Sequence, residues 1–449
     1  MKLKKAKTMI LAMFVVNSFS IYAAQTPSMQ QGVWQTKGYG YLFDFSGSDV
    51  TIYETTSLSC IKSGLTAGQL NTAGTWTFPV TIPGFINANM YAVPGDAPNS
   101  LVLHRSDTST YMQANKISSL PSQCTKSMSS APTVVSRVFV ANFNEQYAYA
   151  KEKVAFLPKH TRVDSMTPHE LFVHLTQLVK PLKDPHIALV APSVEGYYFG
   201  NDLLASDSEN VDIASIRTTL SNIYGKDIKL HSRLQEKIVF AKLTANQSYL
   251  AIRSFTGFAR EDSWNTEELL LRNTLDEVFR EIGTSSHLVL DIRNNEGGSD
   301  NLALLMASYF TDKPYLAYNK QAVSVEKEIY GWTQPSKVRV EPNPSFAFRG
   351  QLSVLVNRAT VSAGETFVMA LLGRSPAITI FGQATAGHFS DMLPRTLPNG
   401  WLFALPNERY TDENSASYAI SGIQPNIIIN NTDSNDALLS AATTNADKP

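Results

Sequence analysis

Apolar and polar residues alternate along the first third of the chain. Gly38-Tyr39-Gly40-Tyr41-Leu42-Phe43-Asp44-Phe45 places an aromatic at every second position, and Val50 to Thr55 is rich in β-branched residues. Thr75 to Phe78 and Ser100 to His104 repeat the habit, with Gly, Pro, Asn and Ser between the runs. A period of two bounded by turn formers is the signature of half-buried strands. It predicts an all-β N-terminal domain over residues 25–135, a small barrel or sandwich. A Ser/Pro-rich stretch from Ser118 to Pro132 reads as a linker.

The period then becomes helical. Thr167-Pro168-His169-Glu170 supplies a cap, a first-turn proline and a first-turn acid, and Leu171, Leu175, Leu178 and Val179 fall on one helix face. This segment stops at Asp184-Pro185-His186. From about residue 235 strands alternate with helices: strands at Lys237–Lys242, Tyr249–Phe255, His287–Asp291, Leu352–Val356 and Ile378–Ile380, helices at Glu267–Ile282, Asn301–Phe310 and Gly364–Leu372. Such alternation predicts an α/β domain with parallel crossovers. The division expected is a helical and mixed segment at 136–240, an α/β core at 241–435 and a polar tail at 436–449.

Residues 1–24 read differently. A basic start, Met1 to Lys7, precedes an apolar run from Met9 to Val16 and the small residues Ala23-Ala24. That order reads as a secretory signal peptide rather than the alternative, an uncleaved membrane anchor, because the run is shorter than the ~20 residues a spanning helix needs. Export to the periplasm or beyond is expected, with no transmembrane span in the mature chain. In that setting Cys60 and Cys124, two cysteines in 449 residues, are expected to form a disulfide. No further Cys or nearby His cluster completes a metal site. With 38 basic and 39 acidic side chains, the balance argues against a nucleic-acid partner.

Two strand-to-helix junctions are placed for chemistry, since sites in open α/β sheets form beyond the carboxyl ends of strands. In Asp291-Ile292-Arg293-Asn294-Asn295-Glu296-Gly297-Gly298-Ser299, the paired glycines expose backbone N–H groups, as an oxyanion hole or as a plain tight turn. In Asn357-Arg358-Ala359-Thr360-Val361-Ser362-Ala363-Gly364-Glu365, Ser362 precedes a helix, either as a nucleophile at the positive end of its dipole or as a helix cap. A nucleophile needs a base, and His186 and His388 are the candidates. His169 and His174 are five apart, off a common helix face, and make no zinc motif.

Four segments in order carry a resemblance to a known family. They are Leu288 to Gly298, Val354 to Glu365, Gly382-Gln383-Ala384-Thr385-Ala386-Gly387, and Gly422-Ile423-Gln424-Pro425-Asn426. Together, over residues 140 to 430, the chain resembles the S41 serine peptidases, which include the tail-specific C-terminal processing proteases and the tricorn-like peptidases. The resemblance implies an α/β crotonase-like core and hydrolysis of peptides or unfolded proteins through an acyl-enzyme on Ser362. It implies oxyanion donors at Ala363 and at Gly297 or Gly298. The tail-specific branch places a Lys base in the loop where this chain has His388. The tricorn-like branch uses an upstream His, which makes His186 the preferred base and His388 the alternative. The assisting acid is expected from the stretch before the last strand, at Glu413 or Asp412. Asn426 departs from the family's frequent Asp. No PDZ-like glycine-leucine loop lies between His186 and Tyr249, and no metal or organic cofactor is implied. A binding protein on the same fold and a non-peptide esterase are the alternatives, and oligomeric state stays open.

Overall fold

In the computed structural model the described residues are 31–72, 75–83, 85–153, 156–158, 163–200, 213–259, 264–326, 329–429 and 439–442. The expected signal segment, residues 1–24, lies outside them.

The alternating N-terminal pattern becomes nine strands: β1 (Val33–Thr36), β2 (Tyr41–Asp44), β3 (Thr51–Thr55), β4 (Cys60–Lys62), β5 (Thr66–Ala67), β6 (Trp76–Ile82), β7 (Ile86–Pro94), β8 (Ser100–Arg105) and β9 (Tyr111–Ile117). They form one sheet in the order β4-β3-β2-β1-β9-β8-β7-β6-β5. The sheet rolls, because Asp49 bridges Gln69 and the Val50 N–H donates to Gly68 O. Phe43, Phe45, Trp76 and Phe78 fill the enclosed side with tilted and edge-on rings. Cys60 and Cys124 are bonded. The bond ties β4 to a short 3-10 turn, Ser122–Thr125, so the stretch expected as a free linker is pinned to the sheet. Helix α1 (Pro132–Gln146) begins inside the expected β domain, with proline in its first turn.

Beyond α1 come α2 (Pro168–Val179), β10 (Ala188–Ala191), β11 (Gly196–Phe199), α3 (Ile213–Tyr224), β12 (His231–Arg233), β13 (Ile238–Lys242), β14 (Gln247–Ile252) and α4 (Trp264–Ile282). Then follow β15 (His287–Asp291), α5 (Asp300–Ala307), β16 (Tyr315–Glu326), β17 (Ile329–Trp332), β18 (Ser336–Val340), β19 (Gln351–Val356) and α6 (Ala363–Leu372). The last strands are β20 (Thr379–Gly382), β21 (Met392–Thr396), β22 (Leu402–Pro406), β23 (Glu408–Thr411) and β24 (Ile427–Ile428). Helix α2 has the capping box its sequence predicts: the Glu170 N–H donates to Thr167 Oγ1 and the Thr167 N–H to Glu170 Oε2.

The central sheet runs β12-β13-β14-β15-β19-β20-β24. Its strands from β14 onward are parallel. Strands β15 and β19 are buried almost throughout, as apolar runs covered on both faces must be. Helices α4, α5 and α6 cover one face through Leu275, Val278, Met306, Phe367 and Val368.

The remaining strands do not respect the expected segments. Strand β10, from the 136–240 segment, pairs with β22 of the core. Strand β16 carries partners β17, β18 and β23. Within the expected polar tail, Leu439 and Ala442 are fully buried and the Ser353 hydroxyl donates to Ala442 O at 3.1 Å. Those residues belong to the core.

Candidate active site

The site begins at the carboxyl ends of the neighbouring parallel strands β15 and β19. Asp291 closes β15 and is fully buried. It accepts hydrogen bonds from Arg293 Nε at 2.9 Å, Arg293 Nη2 at 2.8 Å and the Tyr249 hydroxyl at 2.6 Å. Burial pushes its carboxyl up, but Arg293 and Arg253 outweigh burial and hold it well below the usual carboxylate range. The strand end is thereby fixed and the chain turns. Asn295, fully buried, donates from Nδ2 to Ile252 O at 2.9 Å and accepts the Gly297 N–H at 2.9 Å. Its backbone carbonyl accepts the Val361 N–H at 3.1 Å.

That last bond joins the two junctions. Asn294 and Asn357 are paired as well, and the Thr360 hydroxyl donates to Ile292 O at 2.9 Å. Gly297, at φ +84°, is then packed on Ser362: a Cβ there would stand 2.8 Å from Ser362 Cβ and 3.3 Å from the Ala363 nitrogen. Only glycine fits this approach at this φ.

Ser362 itself has φ 56° and ψ −122°, a conformation outside the allowed regions for an L-residue. As a helix cap it is paired with Glu365 in a capping box, without an ordinary cap hydrogen bond from its hydroxyl. The backbone N–H of Ser362 donates to Glu365 Oε2 at 3.2 Å. Glu365 is fully buried and also accepts from the Thr385 hydroxyl at 2.6 Å, the Gly387 N–H at 2.7 Å and the His388 N–H at 2.8 Å. Burial pushes its carboxyl up to about 7, against these four hydrogen bonds. The residue joins the serine turn to the His388 loop. Sequence reading missed it, although Ser362-Ala363-Gly364-Glu365 has capping-box spacing.

Two N–H groups beside Ser362 have no acceptor among the described residues: that of Ala363, at the first position of α6, and that of Gly298. The Gly297 N–H, the other expected donor, is occupied by Asn295.

Ser362, Gly298 and His186 line one cavity of about 910 Å³. His186 is mostly buried in the turn after α2. Among the described residues its Nδ1 is enclosed without a hydrogen-bond partner. The His388 ring stands perpendicular to it with centroids 6.4 Å apart. Burial lowers both imidazoles, opposed chiefly by the Asp184 carboxylate, and takes His388 down to about 4. Neither ring hydrogen-bonds to the serine hydroxyl in this conformation.

The expected acid is not at this site. Glu413 is exposed and does not line the cavity. Asp412 holds its own turn, accepting from the Asn414 and Ala416 N–H groups and the Tyr418 hydroxyl.

The rolled N-terminal sheet supplies the facing wall, through Ile82, Phe85, Ile86, Arg105 and Asp107. It also braces the helix that follows the glycines. The Ser299 hydroxyl donates to Asp107 O at 2.6 Å, and Asn301 Nδ2 donates to Ser106 O and Thr108 O at 2.8 and 2.7 Å. Asp300 accepts from Ser109 of the sheet, from Thr366 of α6 at 2.7 Å and from the Tyr410 hydroxyl. Beside it Lys320, nearly inaccessible, meets Asp391 at 2.9 Å, Glu408 at 3.1 Å and Asp300 at 3.7 Å. Burial would lower the ammonium, but the three carboxylates outweigh it and hold its pKa above the ordinary lysine value.

A serine on a strained strand-to-helix turn, with free backbone donors beside it, is the arrangement of the serine hydrolases. Residues 246–429 match the model of Peptidase family S41, so this region of the chain is similar to that family. It is 29% identical over 139 residues to a protein of Staphylococcus saprophyticus described as a CtpA-like serine protease, covering 31% of this chain and 26% of that one. With the counterpart from Staphylococcus aureus strain N315 it shares 26% over 207 residues, 45% of this chain and 38% of the relative. The matches thus span well under half the length of these relatives. In fold it is similar to a protein from Parabacteroides merdae described as a peptidase, at TM-score 0.54 and 21% identity, covering 71% of this chain and 98% of that one.

Proposed function

We propose that the chain is an exported serine peptidase, built on a crotonase-like core, that cleaves peptides or unfolded proteins through an acyl-enzyme. The observation that carries this reading is the Ser362 turn: a serine at φ 56°, next to the N–H groups of Ala363 and Gly298 that meet no acceptor among the described residues, in one cavity with His186. Ser362 Oγ attacks the scissile carbonyl while its proton passes to His186 Nε2. The carbonyl oxygen takes the charge and accepts from Gly298 and Ala363. The imidazolium gives the proton to the leaving amine, and water, deprotonated by the same ring, releases the acyl group. A cavity of about 910 Å³ holds several residues of an extended peptide.

The test compares hydrolysis of an unfolded protein by the wild type and by Ser362→Ala. Loss of about 10³-fold or more in kcat with an unchanged melting curve is expected. Equal rates would refute the assignment.

A further inference from the structure

The hydrolase reading leaves His186 without an acid: the expected one is exposed elsewhere, and the ring's Nδ1 is enclosed and unpaired. The turn that presents the imidazole contains a carboxylate of its own. Asp184-Pro185-His186-Ile187 is a tight turn with proline at its second position, closed by the Ile187 N–H donating to Asp184 O at 3.1 Å. The Asp184 side chain folds back over it, and Oδ1 accepts the His186 backbone N–H at 3.1 Å. The carboxylate is 1% exposed, so its charge acts through protein rather than water. Its Oδ2 accepts from the Tyr147 hydroxyl at 2.9 Å and meets Lys153 Nζ at 3.4 Å. It is therefore held in place from α1's end as well as from its own turn.

We propose that Asp184 is the positioning carboxylate of His186, in place of an acid from the segment before the last strand; this rests on the reading of Ser362 and His186 as nucleophile and base. When the serine proton reaches His186 the ring becomes cationic. The fixed negative charge two residues away balances it, and the turn holds the ring toward the cavity.

Other acids within reach of the ring's field are already committed. Asp391 is bound by Lys320 and Thr110, and Asp300 by Thr366, Ser109 and Tyr410. The groups that act on His186 are Asp184, Asp391 and Asp300, which raise its pKa, and Lys153, which lowers it; His388 is the neighbouring ring.

The experiment is a histidine-selective NMR titration of the full chain, with the His186 resonance assigned by its loss in His186→Gln, run beside the pH profile of kcat/KM. Asp184→Asn should lower the His186 pKa by about 1 to 3 units. The acid limb of kcat/KM should move down with it and kcat should fall about 10-fold or more, KM staying within about twofold. Lys153→Met, at a part-exposed position, should move the same resonance and limb the opposite way. An unmoved His186 pKa in folded Asp184→Asn overturns the proposal. Should that variant fail to fold, an unmoved pKa in Lys153→Met overturns it. A wild type that hydrolyses no peptide and whose Ser362 resists a fluorophosphonate overturns the peptidase reading, and the role given to Asp184 with it. An active wild type with an unmoved resonance removes Asp184 alone.

Discussion

Replacing Gly297 by alanine tests how closely the glycine turn is fitted to Ser362, and the structure provides its control. Gly297 and Gly400 have almost the same backbone, at φ +84° and φ +83°. Alanine at either position pays the left-handed penalty, about 1–2 kcal/mol. Their surroundings differ. A Cβ on Gly400 meets nothing within 4 Å, whereas one on Gly297 meets Ser362 Cβ at 2.8 Å, Val361 O at 3.0 Å and Ala363 N at 3.3 Å. Carbon atoms settle at about 3.5–4.0 Å, so the serine must retreat by about 1 Å. Overpacking of this size adds about 1–3 kcal/mol, and a misplacement of about 1 Å costs about 10²-fold in rate. The assay is urea unfolding of both variants together with the second-order rate of Ser362 modification by a fluorophosphonate. Gly400→Ala should lose about 1–2 kcal/mol and keep its labelling rate. Gly297→Ala should lose about 2–5 kcal/mol and label about 100 times more slowly. Equal labelling of the two would show that the turn does not set the serine's position.

Three further outcomes are expected. Reducing the Cys60–Cys124 bond, which spans 64 residues, should cost about 4 kcal/mol by the chain-entropy estimate, read as the drop in unfolding free energy of Cys60→Ser/Cys124→Ser. Lys320→Met leaves Asp300, Asp391 and Glu408 without their ammonium and should cost about 3–5 kcal/mol near neutral pH; the deficit should shrink as acid protonates the three carboxyls, which thermal melts across pH will show. Glu365, raised from 4.5 to about 7, binds its proton more tightly in the native state than in the unfolded one. Its contribution is therefore complete below about pH 4.5 and lost as pH rises through about 7. Unfolding free energies of Glu365→Gln should lack that downward slope.

The parts of this molecule that could be read from the sequence are those whose signals are local. Strands β15 and β19 are apolar runs, α2 carries its own cap, and the two strand-to-helix junctions announce themselves by glycines and by Ser362 before a helix. Strand β16 could not be read this way. Its Lys320 would be an error inside a strand unless Asp300, Asp391 and Glu408 were known to converge on it from three separate segments. The rolled sheet was legible as strands, but its closure depends on the meeting of Asp49 and Gln69. Asp412 and Glu413 look like chemistry and are turn residues, while Asp184 looks like a turn residue and accepts the His186 N–H. Glu365 escaped notice because a buried carboxylate with four donors is a property of two loops together.

The pairing of β10 with β22 sets an order of events during synthesis. Ala188–Ala191, the strand that follows His186, finds its partner in Leu402–Pro406 more than two hundred residues later. Ser362 and the glycine turn lie between them in the chain, so both can be made and α6 formed while the histidine still lacks its seat. Synthesis must reach β22 before β10 has its partner on that edge. Long-range pairing of this kind is slow to form. Here it delays the seating of β10, and of the His186 turn before it, until β22 has been made.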